Sequence, residues 1–68
     1  MNNSTVKLQD VDVELVGHDG NAMAIMHRVT RAMRRAGYQD LVDEYMTEAM
    51  SGDYDHLLAV TMEWVNVS

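Results

Sequence analysis

An α+β domain, with one N-terminal β-strand followed by three α-helices, is predicted here by three observations. Apolar residues alternate in steps of two over residues 10–16 and change to helical spacing from Ala22. Turn-forming clusters at 17–21, 37 and 51–53 cut the rest of the chain into pieces of helical length. The chain has 68 residues, so one small domain spans 1–68, with residues 1–5 expected to be disordered.

The strand comes first. Val11, Val13 and Leu15 fall on one face, and Asp12 and Glu14 on the other, the pattern of a strand with one wet side. Gly17-His18-Asp19-Gly20-Asn21 collects turn formers and ends it. A lone strand leaves backbone donors and acceptors without partners. It pairs either with its copy across a homodimer or with the β-prone end Trp64-Val65-Asn66-Val67. The expectation leans to the homodimer, because a chain this short buries only about 60% of its unfolded surface. With no cysteine it has no disulfide to add.

The first helix is expected over 22–36. Ala22, Met26, Val29, Met33 and Ala36 recur at four, three, four and three, Asn21 or Asp19 supplies an N-cap, and Gly37 suits the C-terminal turn. A second helix at about 40–50 carries Leu41, Val42, Tyr45, Met46, Ala49 and Met50, with acids in its first turn. Gly52 is expected to close it and Asp53 to cap a third helix. That helix runs from Tyr54 to about Glu63 and buries Leu57, Leu58, Thr61 and either Val65 or Trp64.

Charge is unevenly placed. The net charge is −6, yet residues 21–37 hold Arg28, Arg31, Arg34 and Arg35 and no acid, while 38–68 hold seven acids and no Lys or Arg. Any function by charge must therefore be local. No apolar run reaches the roughly 20 residues that span a bilayer, and Met1–Asp10 has no apolar signal core, so a cytoplasmic protein is expected.

Few residues carry chemistry. Asp53, Asp55 and His56, with His18 and Asp19 elsewhere, are the one group suggestive of a metal, but capping and first-turn electrostatics explain Asp53 and Asp55 more simply. No cofactor or metal is expected. A hydrolase needs a nucleophile, a base and an oxyanion site in a dry cleft, and neither a phosphate-binding loop nor a dinucleotide fingerprint is present. An enzyme is not expected.

Arg28, Arg31 and Arg35 fall at i, i+3 and i+7, broadened by Arg34, with His27 near the edge. The plainer account is a solvated helix face that suits the dipole and pairs acids of a neighbouring helix; the alternative is a phosphate-binding face. Arginine throughout tilts toward a specific ion-pair surface. A helix-turn-helix reading fails, because the would-be recognition helix carries Asp53, Asp55 and Glu63 and no cation. An acidic face of Asp40, Glu44 and Glu48 is a weaker candidate for nucleic-acid mimicry. Seven methionines suggest core filling or an adaptable binding surface, with Tyr54 and Trp64 as anchors if exposed.

Val16-Gly17-His18-Asp19-Gly20-Asn21-Ala22 and Ala49-Met50-Ser51-Gly52-Asp53-Tyr54-Asp55-His56-Leu57-Leu58 together resemble a group of small uncharacterised proteins encoded by bacteriophages, prophages and their hosts. The likeness covers about residues 11–65. Met23 stands where an aromatic is expected, and Tyr38-Gln39 replaces a more usual capping stretch. The resemblance implies a phage-type context and a strand-plus-three-helix outline, with no catalytic residues to carry over. The expected function is a non-enzymatic accessory protein binding a host or phage protein. The alternative is a nucleic-acid-associated protein using Arg28, Arg31 and Arg35.

Overall fold

The computed structural model describes residues 6–15 and 21–68; the expected disorder of 1–5, the turn at 17–20 and the candidates His18 and Asp19 lie outside them. The order is β1 (Leu8–Val13), α1 (Ala22–Arg35), a 3-10 turn (Gln39–Leu41), α2 (Val42–Ala49), α3 (Tyr54–Trp64) and β2 (Val65–Val67). β1 and β2 pair in parallel, with Leu8 opposite Val65, Asp12 opposite Asn66 and Val13 opposite Val67. The predicted α+β architecture is the observed one. The pairing expected of a homodimer is supplied within the chain by β2.

The ladder is irregular between Leu8 and Asp12. Gln9, Asp10 and Val11 are extra residues on β1, which explains why Leu8, Val11 and Val13 are all buried despite an odd spacing. The Asn66 side-chain amide donates to the Gln9 carbonyl at 2.8 Å and so fills one gap in the ladder. Beyond the bulge, Ser68 N donates to Val13 O at 3.0 Å and Leu15 N to Ser68 O at 2.8 Å.

Helix ends follow their capping chemistry. Asn21 accepts from Ala24 N at 3.2 Å and so caps α1. Gly37 takes φ +94°, Tyr38 N donates to Met33 O at 2.8 Å and Gly37 N to Arg34 O at 3.1 Å. These bonds form a Schellman closure, which requires the left-handed residue that glycine supplies. The second helix begins later than expected: Leu41 N bonds Tyr38 O, so 39–41 is a 3-10 turn and α2 starts at Val42.

Asp53 caps α3 as expected, accepting from His56 N at 2.9 Å. Gly52 differs from expectation. It does not take positive φ; a Cβ there would lie 2.6 Å from His56 Cγ, so its role is to admit the His56 ring. α3 passes into β2 without a loop, because Val65 turns to extended backbone while its N–H still bonds Thr61 O.

The core fills the space between the sheet and the helices. Ile25, Val29 and Met33 of α1, Val11 and Val13 of β1, Tyr45 of α2, and Leu57 and Trp64 of α3 belong to one buried cluster. The radius of gyration is 11.0 Å, against about 11 Å for a compact chain of this length. Among the described residues, no helix is long and apolar enough to cross a membrane.

Candidate functional site

The amphipathic pattern of α1 buries Ile25, Met26, Val29 and Met33 and leaves Arg28, Arg31, Arg34 and Arg35 exposed. Three of these arginines, Arg28, Arg31 and Arg35, line one side of an open groove of about 640 Å3 with His27, Ala24 and Ala32. Asp12 and Val13 of β1, with Glu14 just past its end, form the other side. A smaller adjoining groove places Asp10 and Asp12 beside Arg35. Arg34 lies outside both linings and, with Arg35, occupies the last turn of α1, where a cation suits the helix dipole.

The acids that line the groove with these arginines thus come from the end of β1 and the residue after it, not from a neighbouring helix. The result is a surface carrying both signs. A polyphosphate laid along the arginines would meet the carboxylates of Asp12 and Glu14 across the groove, which offsets the attraction phosphate binding depends on.

The two aromatic anchors have different fates. Tyr54 is half-buried at the start of α3 and lines a shallow groove with Met26, Met50 and Leu57. Trp64 keeps 1% of its surface, so the exposure on which its role as an anchor depended is not met: it belongs to the core, as does Val65, the other residue expected to be buried at this end of α3. Its indole N–H donates to Glu48 Oε1 at 2.8 Å, Lys7 Nζ stands 4.4 Å from its ring centroid, and Tyr45 meets it edge-on at 5.8 Å. Glu48 is therefore turned to the core edge and leaves the expected acidic face, whose other members, Asp40 and Glu44, stay exposed.

Several polar contacts are invisible to sequence reasoning. The buried hydroxyls of Tyr45 and Thr61 lie 2.7 Å apart, and burial pushes the Tyr45 phenol up from its ordinary pKa. Tyr38 OH donates to both carboxylate oxygens of Asp10, at 2.8 and 3.0 Å, and that bond raises its pKa. Both pairs join residues far apart in the chain, and no local spacing announces them.

Ser51 Oγ lies 3.0 Å from His56 Nε2, a distance that invites comparison with a nucleophile and its base. The hydrogens argue otherwise. The Glu48 carbonyl, which only accepts, lies 2.7 Å from Ser51 Oγ and 3.0 Å from His56 Nε2, so both groups donate to it. The trio satisfies a carbonyl at the end of α2. Asp53 Oδ1 is committed to the helix cap, and among the described residues no three His, Cys, Asp or Glu side chains are placed to share a metal ion.

Three methionines lie open: Met23 on α1, Met62 on α3 and Met50 just past the end of α2. Comparison with protein-family models, curated proteins and solved structures finds no match.

Proposed function

We infer that the chain is a non-enzymatic accessory protein of the phage type its motifs resemble, acting in the cytoplasm by occupying the surface of a host or phage protein. The observation that carries this reading is the groove with arginines on one side and carboxylates on the other. Polypeptides present both signs of charge at short spacing, whereas a nucleic-acid backbone presents one. The exposed Met23, Met50 and Met62, none of which lines that groove, add adaptable apolar surface elsewhere on the molecule.

The test is capture from bacterial lysate, after nuclease treatment, by the intact chain and by an Arg31→Glu/Arg35→Glu variant. A protein retained by the first and lost by the second is the expected result. No differential capture would overturn the reading, and a labelled DNA or RNA shift at about 50 mM salt that weakens steeply as salt rises would favour the nucleic-acid alternative.

A further inference from the structure

The groove has a backbone side as well as a charged one. Among the described residues the sheet has two strands, so one edge of β1 carries no neighbouring strand. Ser68 N bonds Val13 O and Leu15 N bonds Ser68 O, so the polar backbone groups of residues 13 and 15 point toward β2. Backbone direction alternates along a strand, so those of Asp12 and Glu14 point toward the open edge. The groove is lined by Asp12, Val13, Glu14 and the outer face of α1, with no residue of β2. It therefore lies along that open edge, with α1 as its wall.

We propose that the open edge of β1 accepts an extended segment of the partner protein as an added strand, with acidic side chains of that segment meeting Arg31 and Arg35. This rests on the protein-binding reading above and names how the partner is held. Backbone bonds to Asp12 and Glu14 supply affinity that is blind to sequence, and alternate side chains supply choice. Side chains on the α1 side meet the two arginines above a floor of Ala24, Ala32 and Val13, which leaves room for an acid. Side chains on the other side stand beside the Asp12 and Glu14 carboxylates and are cationic or neutral. A second copy of β1 is a poor occupant, since its own Asp12 and Glu14 would then lie across from the same acids.

The experiment selects displayed random octapeptides on the full chain and measures soluble versions of the enriched peptides by fluorescence polarisation. The expected result is acid at every second position, with binding lost when alternate peptide amides are N-methylated. Arg31→Glu should weaken binding about tenfold or more, the scale of one charge-assisted hydrogen bond. Glu14→Pro removes an N–H on the open edge without touching the Val13 and Leu15 bonds to Ser68, and should abolish binding, whereas Glu14→Gln should keep it. Melts monitored by circular dichroism show which variants fold; if Glu14→Pro does not, the N-methylated peptides on the parent chain decide. No enrichment, enrichment without a two-residue period, or binding indifferent to N-methylation overturns strand addition. If lysate capture sensitive to the arginines persists in that case, the protein-binding reading stands without it.

Discussion

Around Trp64 the polar groups are enclosed and paired at 2.7–2.8 Å, whereas along the groove Arg31 and Arg35 are exposed on one side and Asp12 and Glu14 on the other. The difference teaches where each kind of polar contact is useful. In the enclosed corner, a missing partner leaves a desolvated group, so each bond is costly to break and the arrangement is unique. In the groove, water and salt substitute for a missing partner, so the same residues contribute little to stability and stay available to another molecule.

The largest expected effect is on the enclosed side. Trp64→Ala removes the ring, its bond to Glu48 and its contacts with Lys7 and Tyr45, and should cost about 3–5 kcal/mol. A domain of this size has little more than that in reserve, so urea titration should find the variant largely unfolded without denaturant. Retention of a cooperative transition near that of the parent would mean the corner is not the keystone of the core.

Tyr45→Phe comes next, at about 1–3 kcal/mol, because it strands the buried Thr61 hydroxyl. Adding Thr61→Val should restore much of the loss, since two apolar groups of similar shape replace a matched pair. The Tyr45 phenol also ties stability to pH. Its folded pKa is raised, so the unfolded chain loses this proton first, and stability should fall as pH climbs above about 10. Thermal melts from pH 8 to 11 should show this decline in the parent and a smaller one in the double variant.

Smaller still is the cap. Asp53→Ala should cost about 0.5–2 kcal/mol, and Asp53→Asn or Asp53→Ser much less, because a cap needs an acceptor oxygen and not a charge. A chelator should change none of these melts. Equal damage from Ala and Asn in a chelator-sensitive parent would reopen a metal role for Asp53, Asp55 and His56.

At the end of the series, Arg31→Glu in the groove should shift stability by no more than about 0.5 kcal/mol. A loss of several kcal/mol, persisting in high salt, would erase the contrast between the two regions and make the groove a structural ion-pair network.

What the sequence alone determined is the part governed by neighbours along the chain. Hydrophobic spacing set α1 and α3, Asn21 and Asp53 announced caps, Gly37 announced a left-handed closure, and the acid alternation of β1 announced a wet face. Each depends on residues within one or two turns, where geometry is short-ranged and nearly context-free. The tertiary structure decided the rest. Whether Trp64 would anchor a surface or fill the core depended on Tyr45, Glu48 and Lys7 closing around it, and whether β1 would seek a second chain depended on β2 arriving parallel beside it. The bulge at Gln9–Val11, the Tyr38–Asp10 bond and the acids opposite the arginines join segments separated by many residues. Such contacts are settled by how the layers pack and which polar groups must be matched once water is excluded, and a periodic pattern carries no record of that.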